Sequence, residues 1–407
     1  MFASYVSTNS SSRRGSAVRA AVLLTAAAAL AITAAPAGAQ VVQSQQHDFT
    51  IEIVADGFEN PWSIAFLPDG DILVTERPGR LRIIRDGELL PDSVGPMPAV
   101  RHEGQGGLQE VAVHPDFESN RLIYLSYAKG NEDNSQSTTA LLRARFENDT
   151  LTDVEEIFEA NAWGERAGHY GAKIAFDADG YLFLSVGDRQ FIPQGDLENL
   201  AAHPAQNPMT HHGTILRLHD DGSVPDDNPF VGRSDGLPEI WSYGHRNPQG
   251  LAINPETGDV WTTEHGPQGG DELNVSRPGL NYGWPVIGYG VNYRTGLAIH
   301  ATPYREGMEQ PEVYWVPSIG ASGLAFYTGD AFPMWQGNLF AGGLSAEHQR
   351  LSRIWLNEQG GVAHREPLLA GDLRIRDVRE GPDGYIYLAV DNRVGLPTPL
   401  VRLVPAD

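Results

Sequence analysis

The chain of 407 residues has no cysteine, which excludes disulfides, thiolate nucleophiles and thiolate metal sites. It has almost no lysine: Lys129 and Lys173 are the only two, and the other 27 of its 29 basic residues are arginine. It lacks positive charge overall, with a formal net charge of −23. Such a surface repels nucleic acid and anionic lipid, so neither is an expected partner. No zinc-type His/Glu helix, phosphate loop or Gly-x-Ser-x-Gly elbow is present. The apolar run Ala20 to Ala35 is too short and too alanine-rich to favour a membrane span. Arg13, Arg14 and Arg19 precede it and Ala37-Gly38-Ala39 follows, so residues 1–39 read as a secretory signal. Ser12-Arg13-Arg14 hints at twin-arginine export, but the residues after it fit poorly and ordinary secretion is preferred. The expected location is periplasmic or secreted, with Gln40 first and a mature charge of −26. In so acidic a protein, a cluster of arginines implies an anionic partner.

What is abundant is turn and strand. A turn, often containing Asp-Gly, recurs before an alternating apolar run. The marks are Asp69, Asp116, Asp179, Glu256, Gln336 and Asp383, separated by 47, 63, 77, 80 and 47 residues. The shortest gap matches one four-stranded propeller blade, and longer gaps imply inserted loops. Six marks predict an all-β, six-bladed propeller with its site at the loop end of the central axis. A β-sandwich or two small β-domains is the alternative, and the repeated motif argues against it. Residues 40–407 read as one catalytic domain, with Gly130 to Thr139 an exposed loop.

The densest chemistry lies in Tyr243 to Glu272. Arg246 and Asn247 precede Pro248, which pushes Asn247 to an extended or turn conformation. A strand-like run over Gly258 to Thr263 leads into Glu264-His265-Gly266-Pro267-Gln268-Gly269-Gly270-Asp271-Glu272, a loop by composition. Free carbonyls and carboxylates there suit a hard cation. His169, between Gly168 and Tyr170-Gly171, is a candidate general base in a glycine-flanked loop that leaves the imidazole exposed. A turn-capping histidine is the plainer reading. Gln105 lies in the glycine-rich Glu103 to Leu108. Strand alternation puts Arg374 and Arg376 on one face, where they repel unless an anion lies between them. The plainer reading is a solvated face offset by Asp372, Asp377 and Glu380. Asn281-Tyr282-Gly283-Trp284-Pro285 and Trp315 to Ile319 add aromatic loops that could wall a flat ring or a sugar.

These motifs together resemble the soluble, calcium- and pyrroloquinoline quinone-dependent aldose sugar dehydrogenases, relatives of soluble quinoprotein glucose dehydrogenase. The resemblance runs from about Asn60 to the C-terminus and rests most on Tyr243 to Gly250 and Glu264 to Pro267. It implies roles for single residues. His169 matches the base and Gln105 a cofactor contact. Arg246 and Asn247 match residues at the quinone, and Arg374 and Arg376 a pair that holds cofactor carboxylates. The carbonyls of Gly266 and Pro267 match ligands of the cofactor calcium. Glu272 and Tyr282 match a further, structural calcium site. Ser345, after Gly343-Leu344, stands where many relatives carry a cofactor-binding lysine, and Arg350 or Arg353 is a candidate replacement. Gly168 stands where the glucose enzyme's nearer relatives have Asp.

The resemblance implies oxidation of an aldose at the anomeric hydroxyl to a lactone, with electrons passed to a quinone or cytochrome. A monomer or homodimer is expected. Two rivals remain at this stage. A metal-dependent lactonase propeller needs carboxylates and an asparagine ringing one central metal. A secreted carbohydrate- or protein-binding propeller needs no cofactor.

Overall fold

Each of the six turn marks joins the innermost strand of a four-stranded antiparallel sheet to its second strand. The computed structural model describes residues 40–191, 197–392 and 394–406. The secretory signal expected over 1–39 lies outside the described residues. The six innermost strands are Pro61–Phe66, Leu108–Val113, Gly171–Phe176, Pro248–Ile253, Ala321–Phe326 and Ile375–Glu380. Each contacts the next around the axis, and the last contacts the first, so the blades form a closed ring. Most residues of these strands are buried regardless of parity, because each strand has a neighbouring blade on both faces.

The sixth blade closes the ring. Its inner strands come from Ile375–Glu380, Ile386–Val390 and Thr398–Pro405, and its outermost strand is Phe49–Phe58, from the other end of the chain. Phe49 lies opposite Pro405 in the register.

The apolar core is divided among the blade interfaces. Leu73, Leu81, Leu108 and Ile123 pack between the first two blades. Phe49, Phe340, Leu351 and Val378 pack between the last two. The axis itself is ionic. Lys173, only 1% exposed, stands 2.8 Å from Glu110 and 2.7 Å from Asp377. Arg379 also pairs with both carboxylates, and Ile64 N–H donates to Asp377. Four blades are thereby tied across the centre. Asp377 is spent chiefly on Lys173 and Arg379 and reaches Arg376 only as a minor influence, and the strand is buried rather than the solvated face of the plainer reading.

All six innermost strands carry a register irregularity at the same end, for example between Pro61 and Ser63 and between Gly171 and Ile174. Bulges re-aim side chains, and here they do so where the functional loops converge. Two boundaries differ from expectation. The loop read over Gly130 to Thr139 is only 131–136, because Leu122–Gly130 and Ser137–Glu147 extend the pairing to either side. Glu264 and Asp271 end and begin strands, so the loop between them is shorter than its composition implied.

Candidate active site

Two kinds of connection meet at the bulged end. One enters each innermost strand; the other joins the second strand to the third. Between them they line a cavity of about 550 Å³ that includes Trp62, Gln105, His265, Ser345, Arg374 and Arg376.

His169 immediately precedes the strand entry at Tyr170-Gly171 and takes a left-handed φ of 51°. Three contacts hold it. Its N–H donates to Gln105 Oε1 at 2.9 Å, its carbonyl accepts from Arg189 N–H at 3.2 Å, and its Nδ1 lies 2.6 Å from Asp188 Oδ1. Contrary to expectation the imidazole is buried, with the residue 6% exposed. Asp188 also accepts from Gln190 N–H at 2.9 Å and from Trp284 Nε1 at 2.7 Å.

The charges of this pair follow from competing influences. Burial pushes the Asp188 carboxyl up, but His169, Arg246 and His203 outweigh it and bring it down to about 2. Burial and Arg246 lower His169 below the ordinary imidazole range, although Asp188 opposes them. An ion pair would need His169 raised, so neutral imidazole beside carboxylate is the state both shifts favour. Ionised Asp188 can only accept, which places the His169 proton on Nδ1 and leaves Nε2 as a bare acceptor.

Arg246 is fixed by its own backbone, whose N–H donates to Glu264 at 2.7 Å. Its guanidinium donates to the His265 carbonyl at 2.9 Å and lies 5.1 Å from the Trp284 ring centre. Asn247 spends its carbonyl oxygen on Gly171 N–H and Gln249 Nε2, both at 3.2 Å. Its Nδ2 is buried without a partner, as are Nε of Arg246 and Nε of Arg376. Arg376, 9% exposed, donates to Gln249 Oε1 at 2.9 Å. Arg374 pairs with Asp391 and donates to the Leu344 carbonyl at 3.2 Å. Asp391 also lies 3.8 Å from Arg376, so the anion required between the two arginines is partly a residue of the chain.

These unpartnered donors leave buried hydrogen-bonding capacity that an acceptor-rich anion would satisfy. Arg376 lines the cavity itself, whereas Arg246 and Asn247 stand behind its lining residues His265 and Gln249; a flat quinone bearing carboxylates fits the Arg376 end directly.

The oxygen atoms proposed for calcium lie beside it. Gly266 and Pro267 line the cavity, and Ser318 Oγ donates to the Pro267 carbonyl at 3.2 Å. Asp271 is committed to this loop's shape: it accepts from Gly266 N–H at 3.0 Å and from Ala321 N–H at 2.9 Å. Among the described residues no three His, Asp or Glu side chains converge as a metal set. A cation at the two carbonyls therefore needs oxygens from the ligand as well, which a carboxylate-bearing quinone supplies. The central ring of carboxylates that a lactonase requires is likewise not found among these residues, and the axis is filled by Lys173 and Arg379.

Glu272 sits directly across from Glu264 in neighbouring strands, and Asn274 Nδ2 bridges them at 3.1 and 3.0 Å. Burial and Glu264 push the Glu272 carboxyl well above its usual range. Tyr282 stacks on His245, ring centres 4.4 Å apart, and His245 in turn meets Glu264. Its hydroxyl is engaged with the Val275 carbonyl and Arg277 N–H, so only its backbone oxygen is left for a metal.

Neither candidate replacement for lysine reaches the cavity. Arg353 is fully buried, 3.0 Å from Glu366 and between Trp335 and Trp355. Arg350 opens onto a separate groove of about 850 Å³ beside Tyr314. Ser345 does line the cavity, with its N–H on the Ile319 carbonyl at 2.7 Å.

Sequence reasoning missed Asp188, Asp391, Arg77 and the ring of His265. Arg77, Asp188, His265 and Asp391 all follow closely on a second strand, at Ile72–Glu76, Leu182–Val186, Val260–Glu264 and Ile386–Val390. The signal that could have found them was the charged or imidazole residue at the end of each such run.

Comparison with known proteins agrees with this geometry. Residues 58–402 match the family model described as Glucose / Sorbosone dehydrogenase. The chain is 39% identical over 353 residues to aldose sugar dehydrogenase YliI of Escherichia coli, covering 85% of this chain and 91% of that protein. A crystal structure of a glucose dehydrogenase superposes with a TM-score of 0.80 at 43% identity, covering 88% of this chain and 100% of that one. The PQQ-bound aldose sugar dehydrogenase of Streptomyces coelicolor superposes with a TM-score of 0.68 at 27% identity, covering 88% and 98%. A six-bladed ring, a buried His–Asp pair and an arginine-rich cavity thus accompany a match along nearly the whole described chain, and the protein belongs to the glucose/sorbosone dehydrogenase family.

Proposed function

We propose that the protein oxidises aldose sugars at the anomeric hydroxyl to lactones, with pyrroloquinoline quinone and calcium as cofactors. The observation that carries this reading is the 2.6 Å contact of His169 with Asp188, next to Gln105 and Tyr170 of a cavity with surplus hydrogen-bond donors.

When bound, the quinone supplies a hydride acceptor and calcium a Lewis acid that polarises it. The chain's residues do the rest. Nε2 of His169 takes the proton from the sugar's anomeric hydroxyl, and Asp188 stabilises the imidazolium so formed. Arg246 and Asn247 donate to the oxygen on which charge develops. Arg374 and Arg376 hold the carboxylate end, and the amide of Gln105, whose oxygen is already engaged by His169 N–H, donates into the cavity. The carbonyls of Gly266 and Pro267 hold the cation, and Glu272 with the Tyr282 carbonyl serves a further one. Electrons leave to a quinone or cytochrome acceptor, and the chain works outside the cytoplasm as a monomer or homodimer.

The test is a panel of aldoses with an artificial electron acceptor, after loading the purified protein with the quinone and calcium. Turnover of at least one aldose is expected, with lactone as product. Chelator treatment should abolish it, and calcium should restore it. Full activity after chelation, with quinone present, would remove calcium from the proposal. Failure of every aldose would remove the reaction.

A further inference from the structure

We propose that Arg77 binds a second carboxylate of the ligand, supplying the cation that position 345 lacks. The proposal rests on the quinone-cofactor reading above and assigns a further binding residue to it.

Arg77 follows the second strand of the first blade, Ile72–Glu76, as Asp391 follows that of the sixth. Its backbone is pinned from both sides. Its N–H donates to the Asn60 carbonyl at 3.1 Å, and its own carbonyl accepts from Leu108 N–H at 3.0 Å. Gly107 makes that approach possible. It takes a φ of 132°, and a Cβ there would stand 2.0 Å from the Arg77 carbonyl oxygen. The side chain lines the same cavity as Arg374 and Arg376. One terminal nitrogen donates to the Gly104 carbonyl at 2.7 Å, while Nε is buried without a partner.

Charge counting shows what this end lacks. Three guanidiniums share one carboxylate, Asp391, whose oxygens are already engaged. Oδ1 accepts from Asn60 Nδ2 at 3.0 Å, and Oδ2 pairs with Arg374 and lies 3.8 Å from Arg376. Of the other carboxylates lining the cavity, Asp271 is held by the Gly266 and Ala321 N–H groups and Glu347 lies 4.0 Å from His348, so Asp391 is the one set directly against the arginines. The arginines register the strain. Burial lowers the pKa of both Arg77 and Arg376, the latter to about 9. Asp391 opposes this in each case, and the neighbouring guanidiniums add to it. One carboxylate at Arg374 and Arg376 leaves Arg77 uncompensated. A second, on the same rigid ligand, satisfies it. Among the described residues Ser345 is neutral and Arg350 and Arg353 face elsewhere, while Arg77 lines the cavity and can take that task.

The test titrates apo protein, with calcium present, with pyrroloquinoline quinone at several ionic strengths, following cofactor absorbance. Arg77→Met should bind about ten- to a hundred-fold more weakly at low salt, the worth of one charge-assisted hydrogen bond. Its binding should also weaken less steeply as salt is added, because one screened contact is gone. Arg77→Lys should keep most of the affinity and the salt dependence. If Arg77 only holds the Gly104 loop, Arg77→Met will lose affinity with an unchanged salt dependence, and the proposal fails. Affinity within two-fold of the unaltered protein overturns it equally. If the unaltered protein binds no quinone, the cofactor reading falls first and Arg77's part with it.

Discussion

His169 combines two demands that usually conflict. A general base must be unprotonated at working pH, yet it must gain a charge during the reaction. Burial and Arg246 meet the first demand by lowering its pKa, and Asp188 meets the second by waiting as an anion 2.6 Å away. The active form is neutral imidazole, so rate falls as pH falls through the His169 pKa. Because that pKa is lowered, the acid limb of kcat/KM should lie below the reference imidazole value of about 6.5. A limb above pH 7 would point to another group. His169→Gln should cost on the order of a hundredfold or more in turnover while quinone titration stays unchanged. Turnover within a few-fold of the unaltered enzyme would move the base elsewhere, and collapse of cofactor loading would make His169 structural.

At the scale of strands, the polar axis replaces the apolar centre that a smaller β-fold would have. Asp377 keeps its charge there: burial pushes its carboxyl up, but Arg379 and Lys173 hold it below the usual range. Glu110 meets the same two cations, yet burial dominates and raises it. Lys173 is one of two lysines in an arginine-rich chain, and its compact ammonium reaches both carboxylates while lying 4.5 Å from the Trp62 ring centre. Lys173→Met leaves two buried carboxylates to one guanidinium and should destabilise the fold by roughly 3–5 kcal/mol. The readout is the midpoint of thermal or denaturant unfolding, with an unchanged far-UV spectrum for the folded state. An unmoved midpoint would mean that the axis network contributes nothing net.

The same strands explain what could be read beforehand. The six turns were legible because each needs Asp, Gly, Pro or Asn for its backbone and repeats once per blade. The entry loops bearing Gln105, His169, Arg246 and Arg374 were legible through their glycines and charges. Asp188 and Asp391 were not, because they reach their partners only through pairing between strands. Asp188 is 19 positions from His169, and Asp391 is 17 from Arg374. The burial of His169 is hidden for the same reason: flanking glycines suggest exposure, yet Gly168 is approached closely by the Gln190 side chain and Gly171 by the Ser185 backbone.

Across the whole molecule, several histidines share the lowered pKa of His169. Burial is the main cause for His203, His265 and His212, the last brought down to about 4. In the unfolded chain these groups gain protons near pH 6.5. In the folded chain they do so only at lower pH. Between those limits these histidines bind more protons in the unfolded state and so lower stability as pH falls from about 6.5 towards 4, partly opposed by Glu272 and Glu110, whose carboxyls burial pushes up. Apo protein should show a melting temperature that drops continuously over that window. Asp188, held down to about 2, adds its own loss at still lower pH. A melting temperature flat between pH 7 and 5 would show that these rings take up protons without unfolding.

The closing blade has a consequence for the order of folding. Glu52 and Arg402 meet across 350 positions, in the pairing of Phe49–Phe58 with Thr398–Pro405. Five blades can stack from contiguous segments, but the sheet of the strand carrying Arg376 is complete only when Phe49–Phe58 and Thr398–Pro405 meet. Loop closure over such a separation is slow. A chain cut before Thr398 should therefore accumulate as an open arc with a weakened anion-binding end, and cofactor capture becomes a report that the ring has closed.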